Sequence, residues 1–479
     1  MYSLTLEKED GTELNLSWNP YTTELLYEDG SPVNLEPLRK FLPKGEWAKT
    51  TQHGNFERVP ADIVAPDAPL GKSNFQKNVR IIFGLACNFS CSYCSQARAR
   101  HMDDKLGETS DVDEFLENLP TWLHNTPDDE IRIEFWGGES LVYWKKIKHM
   151  AEKLREMYPN AYFWMPTNGS LMTRKMNEWL FELDFHVAFS HDGPGQHHRG
   201  PEDPLDDPEA HAAIMEYCDR MTPLGKFNIN LVMTYGNHSY VDILNFFAEK
   251  FAGHTFPRIS CEGLVLAHSE HDIKHSPKNS SMHYELRSKL LTEIINNDLQ
   301  NISFVGYQVG EIASTLIEAR SAEFQGQGCG LDRKDNITLK LNGDVVICPN
   351  GSAPDQKIGN VNEFDDIQLK TTHWSKRDGC NSCPVMPLCG GACMMFEGDK
   401  HEITCDNHLT YHLVYFAYAL YLLTGSVLKS VEGEKIRYSD IRRIDYWKDC
   451  AIKPDVKSSK RAFPIPVIID GSKSGCPSL

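Results

Sequence analysis

Apolar and polar positions change rhythm several times along the chain. Residues 2–19, "YSLTLEKEDGTELNLSWN", alternate on either side of Asp10–Gly11. Period two around an Asp-Gly pair predicts an antiparallel hairpin. Asp29–Gly30 marks a second turn, and the Pro-rich stretch "PADIVAPDAPLGKSN" predicts a linker. From residue 78 short apolar runs alternate with stretches of helical period. "NVRIIFGL", "IRIEFWGG", "AYFWMPTNG", "FHVAFSHDG", "KFNINLVMTYG" and "RISCEGLVLA" read as buried strands. Between them "SDVDEFLENLPTWLH", "KKIKHMAEKLREMY", "TRKMNEWLFEL", residues 208–221 and "DILNFFAEKFA" read as helices, with Ser110 or Asp111 able to cap the first. Such alternation predicts an α/β fold with a parallel sheet or a barrel, whose chemistry gathers at the C-terminal ends of its strands.

After about residue 328 hairpin signals replace the strand–helix units, as in "NITLKLNGDVVICPNG" around Asn342–Gly343. His408 to Leu423 reads as a buried or partner-facing helix. Its apolar stretch "LVYFAYALYLLTG" is too short to cross a bilayer comfortably and carries three tyrosines. The last 55 residues are polar and rich in Pro and Lys. The pattern divides the chain into an N-terminal β-rich extension (1–77), an α/β domain (78–305), a cysteine-rich domain with its following helix (306–424) and a C-terminal extension (425–479).

Composition narrows the function. With 41% hydrophobic and 24% charged residues the chain is an ordinary globular protein. A formal charge of −18 disfavours nucleic acid as a partner. "MYSLTLEKED" shows no export signal, so the expected setting is cytoplasmic and not membrane-bound. In a reducing compartment closely spaced cysteines are more often metal ligands than disulfides. Of fourteen cysteines, ten fall into two spaced groups.

The first group is Cys87, Cys91 and Cys94 in "GLACNFSCSYCSQ", directly after the strand "RIIFGL". A structural zinc site would want a fourth ligand. Three thiolates can instead hold three irons of a [4Fe–4S] cube and leave the fourth open. The second group is Cys329, Cys348, Cys380, Cys383, Cys389, Cys393 and Cys405. Two zinc ribbons would be the alternative there.

The C-x3-C-x2-C triplet with Tyr93 resembles the signature of the radical S-adenosylmethionine (SAM) enzymes, and residues 329–405 resemble the seven-cysteine SPASM domain. The resemblance implies a partial (β/α)6 barrel followed by a small SPASM domain with β-hairpins. It implies SAM and three [4Fe–4S] clusters as cofactors, one binding SAM and two auxiliary. Reductive cleavage of SAM would give a 5′-deoxyadenosyl radical that takes hydrogen from the substrate. The family's SAM contacts carry over to Gly137, Gly138 and Glu139 in "WGGES", Thr167 and Asn168 in "TNGSL", Ser190 and Asp192 in "SHDGP", and Arg199. Its ligand scheme assigns Cys380, Cys383, Cys389 and Cys405 to a distal cluster, and Cys329, Cys348 and Cys393 to a proximal one. The proximal cluster lacks a fourth cysteine in "SAEFQGQ". It would have an open iron, or borrow Cys450, Cys476 or a carboxylate. Relatives of this kind act on a precursor peptide or small protein, forming thioether or carbon–carbon crosslinks or epimerising residues, with a flavodoxin- or ferredoxin-type electron donor. Sulfatase maturases of the family place an Asp after the second SPASM cysteine; here Pro349 and Asn350 follow Cys348, which counts against that activity. A small-molecule dehydrogenase is a further alternative. Residues 1–77 are a candidate for holding a leader peptide by strand addition. Cys218 and Cys261 read as core cysteines, Cys261 also as a weak candidate hydrogen donor.

Overall fold

The computed structural model describes residues 1–42, 62–96, 109–200, 202–266, 270–320, 326–351, 356–377, 379–380, 383–433, 452 and 454–456. Cys450 and Cys476 lie outside them. Six strands stand where the apolar runs predict them: β4 (Asn78–Ile82), β5 (Arg132–Trp136), β6 (Tyr162–Thr167), β7 (His186–Ser190), β8 (Phe227–Met233) and β9 (Arg258–Leu264). All pair in parallel in chain order. Parallel strands need crossovers. These are supplied by α1 (Ser110–Trp122), α2 (Trp144–Met157), α3 (Arg174–Glu182), α4 (Pro208–Met221) and α5 (Tyr240–Lys250). Thr173, Asp207 and Ser239 cap α3, α4 and α5 with side-chain hydrogen bonds to backbone N–H groups. Helix α1 starts at Ser110, but its N-cap position is Thr109, whose side chain makes no capping bond.

The sheet does not stop at six strands. β10 (Asn336–Lys340), from the cysteine-rich region, pairs in parallel with β4, and β11 (Asp344–Val346) and β12 (Lys357–Asn360) follow antiparallel. One open nine-stranded sheet results, in the order β12-β11-β10-β4-β5-β6-β7-β8-β9. The hairpin around Asn342–Gly343 is therefore continuous with the barrel strands.

The two ends of the chain also meet. β1 (Tyr2–Glu7), β2 (Glu13–Asn19) and β3 (Glu24–Tyr27) form the expected antiparallel strands, and β1 pairs on its other side with β13 (Val427–Gly433). Residues 1–77 and the segment after 424, read from sequence as separate extensions, thus share a four-stranded sheet. Its outer edges already have partners. Tyr27 N–H and Leu25 C=O on β3 bond to Ser31 and Val33, and Ile452 N–H bonds to Lys429 C=O on β13.

The long helix α8 (Gly398–Thr424) ties these parts together. It begins ten residues before the stretch read from sequence and ends at Gly425, whose φ of 67° is a left-handed cap. It packs on α6 (Ser280–Asn296), α7 (Ser303–Ile317) and β13. Trp18 of β2 packs at 5.0 Å, tilted by 40°, against its Phe416 and donates Nε1–H to Pro384 C=O at 2.8 Å. No helix among the described residues is long and apolar enough to cross a membrane.

Candidate active site

The loop after β4 carries Cys87, Cys91 and Cys94, and three neighbouring strand ends hold it. Gly138 N–H bonds to Gly84 C=O at 3.0 Å and Glu139 N–H to Ala86 C=O at 2.9 Å, while Tyr143 Oη accepts from Ala86 N–H. A Cβ on Gly138 would lie 2.3 Å from Leu85 C=O. The glycine is required by its approach to the cysteine loop's own backbone. Glu139 is buried, and its carboxylate accepts from Thr167 Oγ1 (2.6 Å), Asn168 N–H (2.7 Å) and Leu141 N–H (2.9 Å). Asn168 Nδ2 in turn reaches Asn88 inside the cysteine loop at 3.0 Å. From β7's end, Ser92 N–H bonds to His198 C=O at 2.8 Å. The "WGGES" and "TNGSL" motifs are thus brackets for the cysteine loop as well as walls of the site.

Above the sheet lies a cavity of about 350 Å³. Strand alternation aims Glu134 and Trp136, and Asn230 and Val232, into it, and Glu262 and Leu264 line it from β9. All six cysteines of the first loop and the proximal set line it: Cys87, Cys91, Cys94, Cys329, Cys348 and Cys393. Gly137, Gly138, Glu139, Thr167, Asn168, Ser190, Arg199 and Tyr93 line it too, as the sequence predicts.

Two residues depart from that expectation. Asp192 is buried away from the cavity. Its carboxylate pairs with Arg199 at 2.8 Å, accepts Val232 N–H at 2.9 Å and takes the Tyr93 hydroxyl. It holds ligand-facing residues in place and does not line the cavity. Cys261 also turns away, because strand alternation sends it to the opposite face from Glu262. It packs against the Tyr411 hydroxyl, and burial pushes its thiol up to about 12.

Sequence reasoning missed Glu262. Between β8 and β9 the register steps from Leu231 opposite Cys261 to Met233 opposite Leu264, so Val232 faces both Glu262 and Gly263. Gly263 has φ of 99°. Such a bulge re-aims a side chain, and Glu262 is exposed to the cavity that it lines. Burial pushes its carboxyl up to about 7, with Arg199 pulling the other way. An acidic residue followed by Gly inside an apolar strand was the signal. The cavity floor holds the opposite case. Burial alone would raise Glu134, but Arg132 at 2.7 Å and Arg80 at 3.1 Å outweigh it and hold it down at about 2.

The donor set fits iron–sulfur chemistry. Six soft sulfur donors face one cavity, and burial raises the thiols of Cys329 and Cys348 to about 11 and about 12. Buried thiols of this kind ionise when a metal binds them, and the Arg80 charge beside both favours the thiolates. The cavity wall also carries a charged and an aromatic group. Arg199, held by Asp192, places a guanidinium in the cavity wall, and Trp164 adds an aromatic face. Its volume suits a small-molecule ligand.

The distal cysteines gather under α8. The Cys389 thiol is pushed up by burial and then by neighbouring Cys405 and Cys383, and Cys380 packs with Cys383 around Trp374. His408 and His412 stand beside them, held neutral by burial, which lowers them to about 4 and about 3.

A cysteine-anchored partial parallel barrel with a cysteine-rich appendage is the architecture this chain shares with radical SAM enzymes, and its sequence is similar to theirs. Residues 78–198 match a 4Fe-4S single cluster domain. The chain is 26% identical over 347 residues, 66% of its length and 68% of the relative's, to the radical SAM cyclopropyl synthase TigE of Paramaledivibacter caminithermalis. It is 21% identical to the serine-type anaerobic sulfatase-maturating enzyme of Bacteroides thetaiotaomicron, over 65% of this chain and 80% of that one. It is 22% identical to the cysteine-type enzyme of Clostridium perfringens strain 13, over 68% and 90%. Among solved structures, native anSMEcpe with bound AdoMet and the Cp18Cys peptide shares the fold, with a TM-score of 0.52 and 19% identity over 73% of this chain and 99% of that one.

Proposed function

We propose that this protein post-translationally modifies a ribosomally made peptide or small protein, forming a thioether or carbon–carbon crosslink. The observation that carries the proposal is the single cavity faced by both cysteine triads. A side chain reaching into it would be within range of the group on Cys87, Cys91 and Cys94, and of the group on Cys329, Cys348 and Cys393. The relatives point the same way, since sulfatase maturases act on proteins and anSMEcpe is seen with a peptide.

In this reading Cys87, Cys91 and Cys94 hold the SAM-binding [4Fe–4S] cluster and the other seven cysteines hold two auxiliary clusters, three in all. The clusters and SAM supply reductive radical generation and electron removal. The chain's own residues do the rest. Gly138 and Glu139 fix the cysteine loop. Arg199 in the cavity wall offers positive charge to a carboxylate. Trp136 and Trp164, 5.3 Å apart, narrow the cavity against water. Glu262 stands where it can take and hold a proton released by the substrate at its carboxylate. A flavodoxin- or ferredoxin-type protein is the proposed electron source.

Formylglycine formation in a sulfatase is the second reading, favoured by two of the relatives. Pro349 and Asn350, which line the cavity after Cys348, weigh against it. Epimerisation has less support, because Cys261 faces away from the cavity. Strand addition by a leader peptide on the N-terminal sheet also has little support, since both outer edges are partly bonded.

Anaerobic co-expression with peptides encoded beside the gene, followed by mass spectrometry, tests the proposal. A loss of two hydrogens with a new inter-residue bond in fragment spectra is expected. An unchanged mass with deuterium gained from heavy water would replace crosslinking by epimerisation. Conversion of a Cys or Ser in a sulfatase peptide to an aldehyde would replace it by the second reading.

A further inference from the structure

Helix α8 carries His401, Cys405, His408 and His412 at spacings of four, three and four, which places them on one face. That face meets the helical turn Met386–Cys389. Donor atoms of Cys389, His408 and His412 all lie within 4.8 Å of one another. His408 Nδ1 and His412 Nε2 are 3.4 Å apart, with ring centroids 5.5 Å apart. The distal centre therefore has more donors around it than its four cysteines. The partial barrel and the SAM motifs make no use of this pair.

In a hydrogen-bonded imidazole pair one N–H is shared internally, and the ring that accepts it keeps its own hydrogen on its outward nitrogen. So at least one outward nitrogen carries a hydrogen, whichever ring donates. Cys389 lies against this unit. Once it carries metal it is a thiolate, an acceptor of N–H bonds. Four cysteines already complete a cube, so the hydrogen, not the lone pair, is the group the site needs.

We propose that the His408–His412 pair is part of the distal iron–sulfur centre, donating an N–H to the Cys389 thiolate and raising the centre's reduction potential. Such bonds withdraw charge from sulfur and favour the reduced state. The pair acts through Cys389, so both histidines are positioning residues. The inference rests on reading Cys380, Cys383, Cys389 and Cys405 as ligands of a cluster.

The test uses the full chain with Cys87, Cys91 and Cys94 replaced by Ala, reconstituted anaerobically with iron and sulfide. Iron and sulfide content and the electron paramagnetic resonance (EPR) signals of the two remaining centres are measured first. One centre alone, or zinc in place of iron at the second, would overturn the underlying reading and the inference with it. His408→Leu and His412→Leu are then titrated potentiometrically. At a fixed potential the reduced-to-oxidised ratio of one centre should fall about tenfold, equivalent to about 59 mV for a one-electron couple. The other centre should not move. His412→Gln, which keeps an N–H, should recover part of the shift and serves if the leucine variants do not fold. Unchanged potentials with full iron would refute the inference. Nitrogen hyperfine coupling typical of a direct ligand would replace it with His ligation.

Discussion

Glu134 and Glu262 face the same cavity and are pushed in opposite directions, to about 2 and about 7. Two carboxylates driven apart in this way divide into a permanent counter-ion and a proton-exchanging group. Glu134 is the counter-ion. Its folded-state value lies below its unfolded one, so its contribution is present above about pH 4.5 and disappears as pH falls towards 2. Glu134→Gln should therefore be less stable by about 3 kcal/mol at pH 7. Thermal unfolding of both proteins across pH should show the gap narrowing below 4.5; a gap independent of pH would contradict the assignment. Glu262 is the proton-exchanging group. Once a substrate is known, conversion should rise with pH through an apparent pKa near 7. Glu262→Gln should lose that limb while still cleaving SAM. An unaltered pH profile in the variant would remove Glu262 from the reaction.

Among the elements, the brackets around the cysteine loop were the most legible in the sequence. Gly137, Gly138, Thr167 and Asn168 stand out as turn residues at strand ends, and the structure brings them to the loop. What local sequence does not carry is their second task. Gly138 is small because Leu85 C=O lies in the way, and that contact joins two strand ends some fifty residues apart. Gly138→Ala should cost about 1–3 kcal/mol by forcing the loop aside and should lose iron selectively from the first site. Iron counting before and after removal of the first triad checks it: a variant with full iron at all sites would show that the loop tolerates the displacement. The pairing of β10 with β4 and of β1 with β13 was not legible either. Hairpin and alternation signals report neighbours along the chain, whereas these pairings join strands hundreds of residues apart, where register follows from packing. Cys261 shows the same limit. Its place near a strand end made it a candidate, and the structure shows that its neighbour Glu262 is the residue aimed inward.

The whole molecule is built so that remote segments close on one site. Sheet continuity through β10 sets the proximal cysteines over the same cavity as the first loop, and α8 joins the distal cysteines to the terminal sheet. Trp18 is the joint, packing on Phe416 and bonding to Pro384, which directly follows Cys383 and lies four residues after Cys380 and five before Cys389. Trp18→Ala should destabilise the fold by about 3–5 kcal/mol and lower iron content at the distal site before the first. Melting curves with iron analysis check both; equal loss at all sites would mean that the joint is merely structural. The central claim is that this is a radical SAM enzyme whose first triad leaves room for SAM. Its most direct test is SAM cleavage by anaerobically reconstituted protein with dithionite, followed by chromatography. The account predicts 5′-deoxyadenosine and methionine, both abolished by Cys91→Ala. Intact SAM in a protein with its full complement of iron and sulfide would contradict it.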